Sequence, residues 1–279
     1  MIPWKEKSET LILCEGYQDR AFWAGCLVSA FRAQDARDIV TSVESARSDT
    51  PNLPARKKRL SDPWDKPVEG GAYAFISPAG KYIRLNPCNG SANILPALQS
   101  RLKLAEQRPL RSVIVSVDED TLDGGGGHPP ITMQGISESL AKNFAEFGGS
   151  PEGELPILPS INANIGPIAL VHWKSAVRGK NGLPEKACLE QLVCSAVGKV
   201  YPDRLPTITT WLASRKYPPA EAQQEKEIAL SLVAGWHAHQ GVEGFYRAIW
   251  ADRLIREALI AELQHSGQWK VIQSALDDA

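Results

Sequence analysis

Three carboxylates in this sequence stand where they can do chemistry together. Glu15 follows the apolar run Thr10-Leu11-Ile12-Leu13-Cys14, and Asp118 and Asp120 close a second run that is β-branched and apolar from Leu110. Side chains two apart on an extended segment point the same way, so Asp118 and Asp120 share a face at the end of that run. If the two runs are parallel strands of one sheet, all three acids lie on one edge of it. Carboxylates converging there repel one another, and a hard cation such as Mg²⁺ or Mn²⁺ relieves the repulsion through oxygen ligation. Such an ion keeps waters that can act as nucleophile and steadies charge developing on a phosphate in transit. A plainer reading exists for each piece. Glu15 suits a helix N-terminus, and Asp118-Glu119-Asp120 suits a solvated turn. It is the pairing of two such strand ends that points to a site.

The elements that must position these acids follow from the hydrophobic pattern. Residues 9–14 read as a buried strand. The stretch after Gly16 places Phe22, Cys26, Val28 and Phe31 at spacings that favour a helix packed on a sheet. Glycine at position 16 suits a chain that reverses tightly or approaches a ligand closely. Residues 46–71, rich in Pro, Ser, Asp and basic residues, read as a long loop or insertion. Residues 72–88 then form a hairpin around Pro78-Ala79-Gly80, and residues 93–107 a helix through Ile94, Leu95, Leu98 and Leu102. Residues 110–121 make the second strong strand, and a helix through Ile136 and Phe147 follows. Residues 165–173 give a third buried strand, ahead of an amphipathic helix around Cys188–Val197. Beyond residue 205 the chain reads as mostly helical, with Tyr246, Trp250, Leu254 and Ala258 in one column. Strands alternating with helices imply a largely parallel sheet covered on both faces, which binds ligands at the carboxyl ends of its strands.

The residues around the acids carry a resemblance. Leu13-Cys14-Glu15-Gly16-Tyr17-Gln18-Asp19, with Phe22 after it, resembles the first motif of the TOPRIM (topoisomerase–primase) family: an apolar strand, then Glu-Gly, then Asp three residues on. Val115-Ser116-Val117-Asp118-Glu119-Asp120 resembles the second, an apolar strand ending in Asp-x-Asp. Between them, Arg84–Gly90 falls where the family has its second strand and glycine turn, and matches it poorly. The gap between the motifs is longer than the compact core needs, and the insertion at 46–71 absorbs the excess. Thr121-Leu122-Asp123-Gly124 also departs from the Asp-x-Asp-x-x-Gly pattern of topoisomerases.

The resemblance implies a Rossmann-like, mostly parallel TOPRIM-type α/β sheet flanked by helices, with a helical C-terminal extension. It implies an acid/base or metal-ligand role for Glu15 and Mg²⁺ or Mn²⁺ binding by Asp118 and Asp120, with Asp19 as an outer ligand. Glu190 resembles the further acid that stand-alone and ATPase-fused TOPRIM nucleases place after the third strand. In domain terms, residues 1–204 form the α/β unit and residues 205–279 a helical region packed on it.

Basic residues offer secondary candidates for phosphate contact. Lys174, Arg178 and Lys180 follow the third strand and emerge on the same edge as the acids. Arg56, Lys57, Lys58 and Arg59, with Trp64 nearby, suit a backbone clamp or a simply solvated loop. His237 and His239 lack a third ligand beside them. The run Gly124–Gly127 lacks the pattern of a phosphate loop.

Composition narrows the classes. Across 279 residues, 31 basic and 32 acidic side chains leave a net charge of −1, so any polyanion must meet a local basic surface. Five cysteines, an odd number with no C-x-x-C pair, read as core thiols of a reducing cytosol. The polar N-terminus is unlike a signal peptide, and the longest apolar run falls short of the about 20 residues a membrane span needs. A cytoplasmic protein without membrane contact is therefore expected.

The leading expectation is a metal-dependent nuclease acting on DNA or RNA. It is similar to the nuclease half of overcoming-lysogenisation-defect proteins, for which an anti-phage effector role, a separate ATPase partner and a homo-oligomer are in keeping. The alternatives are a non-catalytic TOPRIM-fold subunit that binds nucleic acid or a partner, and a primase-like nucleotidyltransferase.

Overall fold

The structure, a computed structural model, describes residues 8–36, 72–118, 131–144, 147, 156–174, 188–204, 206, 207, 210 and 241–277. Its centre is a seven-stranded, mostly parallel sheet in the order β2-β3-β4-β1-β5-β7-β6. The strands are β1 (Glu9–Cys14), β2 (Gln34–Asp35), β3 (Tyr73–Ile76), β4 (Tyr82–Pro87), β5 (Leu110–Asp118), β6 (Ile157–Leu158) and β7 (Ile168–Trp173). β4, β1, β5 and β7 run parallel; β3 pairs antiparallel with β4 and β2 with β3 at one edge, and β6 pairs antiparallel with β7 at the other. This is the covered α/β arrangement that the apolar runs predict.

Side-chain alternation along the strands divides the core in two. Leu11, Leu13, Val113, Val115, Val117, Ile168 and Leu170 face one side, under α2 (Ile94–Leu102) and α3 (Met133–Asn143). Ile12, Cys14, Ile114, Ala169, Val171 and Trp173 face the other. That second face lies under α1 (Tyr17–Ser29) and α4 (Leu189–Val200), together with α5 (Gly241–Ala251), α6 (Arg253–His265) and α7 (Gln268–Asp277). With both faces covered, the central strands need no polar side, which explains their continuous apolar sequences.

The C-terminal helices are bound into this core. The Ser112 hydroxyl donates to the Ala275 carbonyl at 2.9 Å, and the His172 amide donates to Gln268 Oε1 at 3.0 Å. All five cysteines are buried and free. No helix among the described residues is long and apolar enough to cross a membrane.

At the amino end of β1, Glu9 is 2% exposed and meets three arginines. Arg84 and Arg108 lie at 3.0 and 3.1 Å, and Arg101 pairs with the other carboxylate oxygen. A carboxylate buried this deeply is tolerated because charged donors replace its water.

Several boundaries differ from the sequence pattern. The helix expected over 93–107 opens with a 3₁₀ turn at Ser91–Asn93 and stops at Leu102. The helix expected through Phe147 ends at Asn143, because Phe144 turns extended. The third parallel strand begins at Ile168 rather than 165. The column Tyr246–Ala258 is not one helix. Asp252 is extended and caps a new helix by accepting from the Leu254 and Ile255 amides, which turns Leu254 out to solvent. The insertion at 46–71 lies outside the described residues.

α1 and α5 touch at a glycine. A Cβ on Gly25 would lie 2.7 Å from both Trp250 Cδ1 and the Tyr246 carbonyl oxygen, whereas one on Gly198 in α4 would meet nothing within 4 Å. Opposite outcomes follow for the same change. Gly198→Ala should stabilise by about 0.5–1 kcal/mol through helix propensity. Gly25→Ala should destabilise by a net of about 1–2 kcal/mol, since overpacking outweighs that gain. Urea denaturation of the two variants beside wild type checks both signs.

Candidate active site

The strand register places the acids. Cys14 is opposite Ser116 on β5, and Asp118 is opposite Trp173 on β7. Glu15, one residue past Cys14, and Asp118 therefore sit at the carboxyl edge of adjacent parallel strands, the crevice where open α/β sheets take ligands. Two helices begin at the same edge. Gly16, in extended conformation, is the N-cap of α1, and Cys188 is the N-cap of α4. Each helix brings one acid in its first turn, Asp19 and Glu190, and both are buried.

Hydrogen bonds from N–H groups fix two of the four. Asp19 Oδ2 accepts from the Gly16 amide at 3.1 Å, and its Oδ1 accepts from the Trp173 indole at 2.9 Å. With a donor on each oxygen, Asp19 is locked in orientation. Asp118 Oδ1 accepts from the Leu189 amide at 2.8 Å, which ties the end of β5 to the start of α4. On the neighbouring strand, the backbone follows Glu15 closely: the Gly90 amide donates to the Glu15 carbonyl at 2.8 Å, with Gly90 at φ 113°. The Arg84–Gly90 segment that matched its motif poorly thus does supply a parallel strand and a glycine turn beside Glu15.

The acids feel one another. The Asp19 carboxyl is raised from 3.8 to about 7, first by burial and then by the charges of Glu15 and Glu190, with the two N–H donors opposing the rise. Burial likewise pushes Asp118 well above the ordinary range, reinforced by Asp19, Glu190 and Glu15 and opposed by the Leu189 amide. Tyr246, on α5, is raised first by burial and then by Glu190 and Asp19, so its phenol belongs to the same environment.

An aromatic wall backs the site. The Phe22 ring lies 5.0 Å from that of Trp173, 5.7 Å from Tyr246 and 5.1 Å from Trp250. Trp23 packs on Trp173 at 5.3 Å and donates its indole N–H to Ser116 Oγ at 3.0 Å.

Of the residues singled out in the sequence, Glu15, Asp19, Asp118 and Glu190 come together, and half-buried Lys174 directly follows β7 on the same edge. Asp120, Arg178, Lys180, Arg56, Lys57, Lys58, Arg59, His237, His239 and Gly124–Gly127 lie outside the described residues. Trp173 and Tyr246 were not anticipated as neighbours of the acids. Trp173 ends its strand at the level of Asp118, a position that register would have indicated. Tyr246 arrives from far along the chain and left no local signal.

Carboxylate oxygens gathered at one edge are the donor type a hard divalent cation favours. Among the described residues, however, no group of three or more His, Cys, Asp or Glu side chains is spaced as a ligand set. The donor chemistry fits such an ion, and the spacing is that of acids sharing an environment.

No protein-family model matches the chain, and no curated protein matches it. Among solved structures, it is similar to the crystal structure of a hypothetical protein from Pyrococcus horikoshii OT3. The TM-score is 0.60 with 15% identity, over 96% of this chain and 99% of that one. At that identity the likeness is one of fold, an α/β sheet with flanking helices.

The raised carboxyls make stability depend on pH in a stated direction. Folding favours protonated Asp19, which titrates near 3.8 when unfolded and at about 7 when folded. Its contribution is full below the unfolded value and is lost as pH rises through about 7. In chelator, the melting temperature should therefore fall between about pH 5 and about pH 8. Asp118→Asn keeps an acceptor for the Leu189 amide and removes one repelling charge. At about pH 8 in chelator it should stabilise the protein by about 1–2 kcal/mol. Calorimetric scans across that pH range test both statements.

Proposed function

We propose that this chain is a divalent-metal-dependent nuclease of TOPRIM type that cleaves phosphodiester bonds in DNA or RNA. The observation that supports this reading most is the gathering of Glu15, Asp19, Asp118 and Glu190 at the carboxyl edge of one sheet. Such a gathering of like charges raises the free energy of the fold and makes sense where charge is to be neutralised during work. Glu15, Asp118 and Glu190, with Asp120, are the residues that would hold Mg²⁺ or Mn²⁺. When bound, the ion would supply charge neutralisation on the phosphate and a more acidic water.

The chain's own groups have separable tasks. Glu15 accepts a proton at its carboxylate from the attacking water or returns one to the leaving oxygen. Asp19, held by N–H donors on both oxygens, fixes the turn that carries Glu15 and can keep a proton near neutral pH. The wall of Phe22, Trp173 and Tyr246 excludes water from behind the acids. Lys174 is placed to meet a substrate phosphate as it enters the edge. An anti-phage effector role with a separate ATPase partner is in keeping with this activity.

A second reading, a non-catalytic subunit that binds nucleic acid or a partner, is favoured by one observation. That is the lack of a ligand-spaced group among the described residues.

One assay separates the two. Labelled single- and double-stranded DNA and total tRNA are incubated with the protein in Mg²⁺, in Mn²⁺ and in chelator. Metal-dependent cleavage is expected, falling about 10²- to 10⁴-fold in Glu15→Gln and abolished in Asp118→Ala. No cleavage of any substrate, with no Mn²⁺ uptake by calorimetry, would leave the binding reading.

A further inference from the structure

Beside the acids lies an aromatic and cationic feature that the chemistry above does not use. Tyr17, in the first turn of α1 and two residues from Glu15, is 50% exposed, one of the few large apolar side chains on the described surface. Arg20, one turn on, places its guanidinium carbon 4.9 Å from the centre of the Tyr17 ring and 4.1 Å from that of Tyr73. Tyr73 opens β3 and is paired with Leu85 near the carboxyl end of β4, so it belongs to the same edge of the sheet. Arg20 is also close enough to Cys14, under Glu15, to lower its thiol against the stronger upward effect of burial.

We propose that Tyr17, Arg20 and Tyr73 form a stacking platform for the bases of single-stranded nucleic acid led into the acidic edge. The proposal rests on the nuclease reading for its direction, but not for its binding chemistry. A planar cation between two rings presents the kind of surface on which successive bases stack, and such stacking tolerates any sequence because every base has a π-face. The guanidinium adds the positive charge that a near-neutral protein needs beside a cluster of acids to receive a polyanion. A duplex keeps its base faces inside the helix and offers nothing for an exposed ring to stack on, so the platform selects unpaired strands.

The test reads binding without cleavage. Oligonucleotides carrying 2-aminopurine, as single-stranded DNA, single-stranded RNA and DNA duplex, are titrated with the protein in chelator. Quenching on the single strands is expected, with much weaker binding of the duplex, and the two single-stranded arms show which sugar is preferred. Tyr17→Ala should weaken single-strand binding about tenfold. Tyr17→Phe, which keeps the ring, should bind like wild type, as should Leu104→Ala, which alters an exposed apolar residue elsewhere. Because Tyr17 is exposed, its alanine variant should melt with wild type, and Tyr73→Ala gives a second probe of the same surface. Single-strand binding unchanged in both alanine variants, duplex bound as tightly as single strand, or no binding of any strand would each overturn the proposal. Tyr17-dependent quenching without cleavage in any metal would retain the platform and remove the nuclease. Cleavage unaltered by Tyr17→Ala would do the reverse.

Discussion

The hydrogen bond from the Trp173 indole to Asp19 closes a loop of dependencies around the site. It fixes one oxygen of Asp19, whose other oxygen receives the Gly16 amide, and that amide starts α1. α1 in turn carries Phe22 and Trp23, which pack on the same indole. The end of β7, the turn after β1 and the first helix are therefore set by one another. A carboxylate buried among other carboxylates would otherwise seek water or a proton, and the pull on it is large. Donors from rigid elements, an indole on a strand and an amide at a helix start, hold it where a flexible side chain would yield. The Leu189 amide does the same for Asp118 at the start of α4.

The sheet consequently has two unlike ends. At the amino end, Glu9 is matched by three arginines. At the carboxyl end, acids meet acids, and neutral N–H groups orient Asp19 and Asp118. Neutral donors orient a carboxylate without cancelling its charge, which keeps it available to something arriving from outside. The same fold thus pairs Glu9 with arginine and orients Asp19 and Asp118 with backbone or indole N–H.

Much of this could be read from the chain, and the remainder has physical reasons for being hidden. β1, β5 and β7 announce themselves because strands covered on both faces are apolar without interruption. Glu15 and Asp118 stand out because each breaks such a run at its end. Glu190 was legible only through its resemblance to the further acid of TOPRIM nucleases, and its burial in the first turn of α4 is what the structure adds. β2 and β6, two residues each, are too short for any period, and pairing with a neighbour alone creates them. The column from Tyr246 to Ala258 kept helical spacing across a break, because the Asp252 cap changes direction without changing the pattern. Tyr246 joined the site through tertiary packing against α1, at the close approach that Gly25 permits.

The wall formed by α5 has a bearing on biosynthesis. The four acids are all translated before residue 191, yet Tyr246 and Trp250, which shut one side of their surroundings, come much later. α7 adds its bond from Ser112 to Ala275 later still. A nascent chain that has emerged only as far as α4 has its acids but lacks this cover. The covered edge is complete only when α5 to α7, which follow the acids in the chain, dock on it.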